Sequence, residues 1–374
     1  MTSFFPSRTF ARRAVLARMV AVGGSALLPL GAKAQTAAAI GFRPTPAIAV
    51  KAPAQAFLVA MAWAGRRLVA AGEEGIIIIS DDDGASWTQA QVPVSDTLTT
   101  VIFQDEAKGW AAGHSGVILG TRDGGKSWYL ALDGLQVNQL MLAAAAAPQN
   151  VGFASAALAL AAPRARIFDA AGADKPFLDL LLLPNGELFA MGAYRMMVLS
   201  QDGGRSWVDW SLHVSDHLSD DLYASAVSGG TIYLAGSAGK VFSSTDGAAS
   251  FNPLPFPQAV SIFGLLAPVP NLLIAFGVAG NCFRSTDGGQ SWAQIALGTQ
   301  DNLTCGLMMG PDLLIASESG QIFRSQDGGQ TFAPLSGVPP MPIFSMVQAA
   351  DGGLILAGDT GIGRVPARAM TRQS

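Results

Sequence analysis

Cysteine, histidine and charge are all scarce in this chain, and each shortage narrows what it can do. Its 374 residues contain two cysteines, Cys282 and Cys305, in segments that read as different strands. They leave only two arrangements, a pair of buried free thiols or one inter-strand bridge. The histidines number three. Two of them, His213 and His217 in "HVSDH", have zinc spacing only if the segment is helical, and no third ligand accompanies them. That stretch reads as a solvated loop. His114 stands alone in a turn and is expected to be hydrogen-bonded and idle. Charged residues make up 13% of the chain, with a net charge of −4. Beyond the first 34 residues no apolar run approaches the roughly 18 residues of a spanning helix.

Those first 34 residues read as a secretory signal. "RTFARRAVLARM" carries four arginines, "VAVGGSALLPL" is a short apolar stretch, and "AKA" supplies small residues for cleavage between Ala34 and Gln35. The pair Arg12-Arg13 also permits twin-arginine export of a folded protein. Cleavage removes Arg8, Arg12, Arg13, Arg18 and Lys33 and no acid, which takes the net charge from −4 to −9. The expected mature protein is exported, to the periplasm or beyond the cell, and is acidic. Such a chain is a poor partner for nucleic acid or anionic lipid.

What the sequence has in abundance is glycine, 43 residues, and short apolar runs between turns. One octet recurs: "SDDDGASW" at 80, "TRDGGKSW" at 121, "SQDGGRSW" at 200, "STDGAASF" at 244, "STDGGQSW" at 285 and "SQDGGQTF" at 325. Its aspartates, Asp82, Asp123, Asp202, Asp246, Asp287 and Asp327, lie 41, 79, 44, 41 and 40 residues apart, one unit of about 40 with a single doubled gap. Each octet follows three alternating apolar runs separated by turns. That is the pattern of a four-stranded β-propeller blade, with strands A to D running from the axis outward.

The predicted fold is all-β: a seven-bladed β-propeller over residues 35–374 with Asp-box C–D turns. Its blades fall near 55–90, 97–132, 176–210, 220–254, 259–295, 302–335 and 342–366. The last unit stops before an octet, so a strand near 46–53 is expected to complete it. Residues 133–175, rich in alanine and poor in β-branched residues, read as a helical insertion between blades two and three.

In this frame the octet aspartate accepts hydrogen bonds from its own turn, and glycine supplies the positive φ. The closing aromatics, Trp87, Trp128, Trp207, Phe251, Trp292 and Phe332, are placed to bury against the adjacent blade. Six aspartates spread around a ring cannot converge on one substrate, and each loop offers too few oxygens for calcium. The octet reads as structural, with no metal, no cofactor and no catalytic residue implied.

The candidate partner face is therefore the opposite one, formed by the B–C turns "GEEG", "GHSG", "GAYR", "GSAG", "GVAG", "SESG" and "GDTG". It carries Glu73, Glu74, His114, Tyr194, Arg195, Lys240, Asn281, Glu318 and Asp359, together with the insertion and the loop "VDWSLHVSDHLSDD".

The repeated "G…G.IFRSQDGGQTF" pattern behind a signal peptide resembles the photosystem II stability and assembly factor family. "GADKPFLDLLLLPNGELFAMGAY" after an alanine-rich insertion is most similar to its non-photosynthetic bacterial branch. The resemblance spans about residues 45–365. It implies a non-catalytic scaffold that docks onto a membrane-associated protein complex, transport systems among them. One departure is that the arginines here are scattered, whereas the photosynthetic members are associated with a basic patch. Asp boxes also occur in sialidase-like glycosidases, the alternative reading. "FRPTP" at 42, the pair Tyr194-Arg195, and the carboxylates Glu73, Glu318 and Asp359 are the residues that such a site would use.

Overall fold

Each octet folds into a corner stitched together by its own side chains. At 80–87, Asp82 Oδ1 accepts from the Ser80 hydroxyl and the Ser86 N–H, both at 2.8 Å, and Oδ2 accepts from the Ser86 hydroxyl at 2.5 Å. Ser80 Oγ in turn accepts the Gly84 N–H at 2.8 Å. The same net recurs around Asp123, Asp202, Asp246, Asp287 and Asp327. The corner needs a left-handed residue at its fifth position, where Gly84 has φ 83° and Gly125 φ 83°. Ala248 accepts φ 73° at that position, which costs backbone strain.

The computed structural model describes residues 44–146, 155–214 and 220–371. The segment read as a signal peptide, and His217, lie outside these residues. Every octet joins a third strand to an outer fourth. Blade one runs Leu58–Ala64, Arg67–Gly72, Ile77–Ser80 and Thr88–Gln89, paired antiparallel in sequence order. The remaining innermost strands are Leu98–Phe103, Phe177–Leu182, Leu222–Ser228, Ile262–Val269, Leu303–Met309 and Ser345–Gln348. Among the described residues, six sheets have four strands and the seventh has three. The protein is a seven-bladed β-propeller.

The core lies between blades, not within them. Seven apolar clusters each draw on two neighbouring blades. Every octet aromatic packs into the cluster shared with the preceding blade: Trp128 with blade one, Trp207 with two, Phe251 with three, Trp292 with four and Phe332 with five. Trp87 reaches back across the seam to Ile355 and Val347 of blade seven. The two cysteines are buried in this packing and form no disulfide, Cys282 in blade five and Cys305 in blade six, and burial pushes the Cys282 pKa up to about 12.

The expected fourth strand of blade seven is not formed by residues 46–53. Residues 47–50 instead bond to the exit of blade one: Ala47 N–H to Val92 O at 3.1 Å, Val50 N–H to Gln89 Oε1 at 2.9 Å, and Gln89 Nε2 to Ile48 O at 2.9 Å. Pro46 and Pro53 lack the N–H groups that a ladder requires. Closure is carried by blade-to-blade side chains. Arg364 of blade seven donates to Asp83 O at 2.7 Å and Asp83 Oδ2 at 2.8 Å in the first octet. Trp63 Nε1 donates to Gln348 O at 3.2 Å, and Met61 N–H to Ser345 Oγ at 3.0 Å.

Two helices, α1 (Gly134–Ala146) and α2 (Ser155–Ala171), occupy the doubled gap between blades two and three. Asp133 and Gln136 cap α1 reciprocally, each side chain accepting the other's backbone N–H at 2.9–3.0 Å. Val137 and Met141 from α1 and Ala165 and Phe168 from α2 are buried with blades two and three.

The octet carboxylates make stability depend on acid. The Ser86 and Ser291 hydroxyls and N–H groups hold Asp82 and Asp287 down at about 2. At Asp327 burial opposes the shift, but bonds from Thr331 and Ser325 still bring it to about 2. Bonds from Ser206 lower Asp202, and those from Ser127 and Ser250 outweigh burial in lowering Asp123 and Asp246. A carboxylate whose folded pKa lies below its unfolded value of about 3.9 stabilises fully above that value and loses its contribution as pH falls through the folded pKa. The octets' share of the urea midpoint is therefore expected to be constant from pH 7 to 5, where His114, held neutral by burial, gives a shallow loss, and to fall between about pH 4 and 2. Substituting Asn at two of the six aspartates should shrink that fall. Phe251→Ala, which empties a fully buried site, should cost about 3–5 kcal/mol in the same assay.

Candidate protein-binding face

Five of the seven B–C turns share one construction. After a glycine in extended geometry, the second turn residue takes a left-handed φ: Glu74 55°, Ser115 55°, Tyr194 51°, Ala238 52° and Ala279 54°. The residue that follows lies under the connection to the next blade. A Cβ at Gly75, Gly239 or Gly280 would stand 2.0–2.1 Å from the carbonyl oxygen of Val94, Gln258 or Thr299. Blade three breaks the pattern, because Arg195, at φ 53°, stands where those turns have glycine.

Arg195 is 0% exposed. Its guanidinium bonds Asp220 at 2.7 Å and lies 5.0 Å above the Phe242 ring. Beside it, Arg164 of α2 donates to Ser211 Oγ at 3.0 Å and to the carbonyls of Tyr194 and Arg195 at 2.9 and 3.1 Å. Burial lowers the Arg164 pKa to about 10, with Asp209 opposing the shift and Arg195 adding to it. Burial likewise raises the Asp209 pKa, against the attraction of Arg164 and bonds from Ser211. Tyr194 is held through its N–H by Asp221 at 2.8 Å, and its ring meets Phe168 edge-on at 6.4 Å. Lys175 lies 5.3 and 5.5 Å from the Phe168 and Tyr194 rings. These contacts latch the insertion onto the blade-three turn.

Latched this way, the insertion leaves apolar side chains in water. Ile167 is 66% exposed, Leu160 44% and Tyr194 36%. Leu160 and Ile167 are seven residues apart, so they share one side of α2.

The other candidate residues are spread around the rim. Lys240 is half-buried. Asn281 donates to Val278 O at 2.8 Å and accepts from Gln294 at 3.1 Å. Glu318 is tied to Asn302, whose O accepts the Glu318 N–H at 2.9 Å. Glu73, Glu74 and Asp359 come together at the seam of blades one and seven, lining a cavity of about 580 Å³. Glu318 does not join them. His114 corrects the expectation of a hydrogen-bonded ring, since its Nε2 is buried without a partner. Burial lowers its pKa, with Asp96 opposing. His213 stacks on Trp210 at 3.5 Å and bonds Ala249 O through Nδ1 at 2.7 Å. Among the described residues no group of three His, Cys, Asp or Glu side chains is placed to hold a metal ion.

Sequence reasoning missed Arg164 and did not single out the carboxylates Asp209, Asp220 and Asp221 within the loop that it placed on this face. The available signal was "GAYR", whose last residue departs from the glycine of the other turns. It also missed Asp179, the carboxylate on the innermost strands that line a central cavity of about 240 Å³. Asp179 accepts from the Ser225 N–H at 2.8 Å and hydroxyl at 2.7 Å, tying blade three to blade four.

Residues 79–144 match the family model described as photosynthesis system II assembly factor YCF48. In fold the chain is similar to a solved YCF48 bound to D1 peptide, with a TM-score of 0.59 and 18% identity over 86% of this chain and 99% of that one. It is also similar to YCF48 from Cyanidioschyzon merolae, at 0.58 and 11% identity over 84% and 97% of the two chains. The WD40 propeller domain of Doa1 gives 0.58 and 10% identity over 86% and 94%. No curated protein matches the sequence. The likeness to the photosystem II assembly factor family is thus a match in sequence over one stretch and in fold over most of the chain.

Removing Arg164 strips the Tyr194 and Arg195 carbonyls and the Ser211 hydroxyl of a donor and takes a nearby cation from half-buried Asp209. Arg164→Met is expected to weaken the latch by about 3–5 kcal/mol. Limited proteolysis should then cut within 134–171 at least about tenfold faster, while the ring retains its strand circular dichroism.

Proposed function

We propose that this protein is a non-catalytic scaffold that holds a peptide or protein belonging to a membrane-associated complex, and that the B–C face with its latched insertion makes the contact. The observation that carries this reading is the pairing of a rigid mount with an exposed apolar side. Buried Arg164 fixes α2 to the blade-three turn, where Arg195 is itself buried against Asp220, and Leu160, Ile167 and Tyr194 remain exposed beside it. Apolar residues held in water on a preorganised surface suit protein contact. The resemblance to YCF48, one solved example of which carries a bound peptide, supports the same reading. Partners include transport complexes as well as assembly intermediates. The expected signal segment places the encounter outside the cytoplasm, in the periplasm or beyond.

The glycosidase alternative loses one of its candidate residues to this architecture. Arg195 is enclosed against Asp220 and Phe242, and Tyr194 packs on Phe168. Arg195 is therefore not presented as a carboxylate clamp.

Deleting residues 135–170 tests the proposal. Partners crosslinked in the cell envelope are expected to disappear from the pulldown while the shortened protein keeps its strand circular dichroism. Retention of the same partners would remove the insertion from the interface. A panel of fluorogenic glycosides should give no turnover, and turnover abolished by Tyr194→Phe or Glu73→Gln would establish the alternative.

A further inference from the structure

We propose that the third strand of blade seven, Gly361–Val365, takes an extended segment of a partner protein as its fourth strand. The assignment rests on the scaffold reading above and adds a point of contact on the outer rim of the ring.

This edge is open where the other six are covered. Among the described residues Gly361–Val365 pairs only with Leu354–Gly358. In each of the other blades at least three of the four third-strand residues are buried. Here only the two ends are buried, and Ile362, Gly363 and Arg364 between them reach solvent. An unpaired edge of this kind is a template for another strand.

The register shows which main-chain groups face outward. Ala357 O accepts the Phe344 N–H at 2.8 Å, so the main-chain groups of Ala357 face the innermost strand and those of its partner Ile362 face away from the sheet. Two residues on, Arg364 faces outward as well. Four other blades show the bond that this side makes. Ala90, Trp210, Ile295 and Leu335 donate their N–H groups to Ile77, Met197, Cys282 and Ile322 O at 2.7–2.9 Å. Ile362 stands where Ile322 does in blade six, and Arg364 where Arg324 does.

Neither described end of the chain supplies the strand. Residues 47–50 are held at the exit of blade one, and after Pro366 the chain turns into a short helix, Ala367–Thr371, whose Met370 carbonyl accepts from Arg324 of blade six. A second copy is a poor occupant, since two edges with three open residues each would bury far less than the roughly 1,200 Å² of a stable interface. A partner already held on the ring needs no such area, because tethering supplies the effective concentration.

What the segment must offer is main chain more than side chain. The fourth strands Ala293–Gln294 and Ala333–Pro334 are exposed along their length, and an alanine lies opposite Arg284 and Arg324. No aromatic wedge is called for, since Met341 and Met370 already pack the cluster between blades six and seven. The occupant is therefore extended, with a small uncharged residue opposite Arg364 and free N–H groups on that residue and the second one after it.

The test uses the full mature chain and a labelled, end-blocked peptide, Ser-Ala-Gln-Ile-Ala-Gly, with the same peptide N-methylated at Ile as control. Fluorescence anisotropy is expected to show saturable binding of the first and none of the second. Hydrogen exchange at 361–365 should slow by at least about threefold when the peptide is bound. Arg364→Pro, which removes an outward N–H, should bind at least about tenfold more weakly than Arg364→Ala, which loses the same side chain and keeps the N–H. Thermal melts show whether both variants fold, and the N-methyl comparison decides the matter if Arg364→Pro does not.

Absence of saturable binding, equal binding of the two peptides, or unchanged exchange at 361–365 would each overturn the assignment. Binding that appears only after residues 35–43 are removed would give the edge to this chain's own segment. A dimer in sedimentation that Arg364→Pro abolishes would give it to a second copy. If the peptide fails but envelope partners still depend on residues 135–170, the edge assignment falls and the scaffold reading stands. If those partners are also indifferent to the deletion, both fall.

Discussion

The wedge of one aromatic ring between consecutive sheets is the contact on which this architecture depends. A single four-stranded blade has two apolar faces and no way to cover either alone. Each octet turns the chain so that its last residue leans back into the blade before it, which puts one such ring in six of the seven inter-blade clusters; the cluster between blades six and seven has none. The aspartate does not reach across that interface. It fixes the corner from which the ring projects, through bonds that begin and end within eight residues. Local polar geometry thus sets the direction of a non-local apolar contact.

That division of labour explains what could be read from the sequence. Period, strand alternation and octet chemistry are local, so the ring, its blade count and the position of the insertion were all legible. The seam was not. Its bonds join Arg364 to Asp83 and Trp63 to Gln348, partners some 280 residues apart with no shared motif. The expectation of a completing strand at 46–53 came from symmetry, and the prolines at 46 and 53 stood against it. The latch was hidden for a related reason. Arg164 lies in an alanine-rich run that suggests nothing beyond helix, and its partners come from segments 30 to 47 residues downstream.

The two parts of the candidate face have different physical characters. At blade three, cations are buried against carbonyls and carboxylates, and what faces outward is apolar. At the seam, Glu73, Glu74 and Asp359 line a hollow with an apolar wall. A single extended partner could engage both kinds of surface, since they belong to the same side of one rigid ring. The acidic balance of the expected mature chain favours encounter with basic segments at long range.

The seven-to-one junction also imposes an order on assembly. Blades two to seven can each pack on a neighbour that the chain has already made, whereas the Arg364–Asp83 contact must wait until nearly the whole polypeptide exists. Until then, the apolar flank of blade one, with Leu58, Leu68 and Ile78, has no sheet to cover it. A nascent or translocating chain therefore carries one sticky side from its first blade to its last, and its need for a holding factor ends only when the circle shuts.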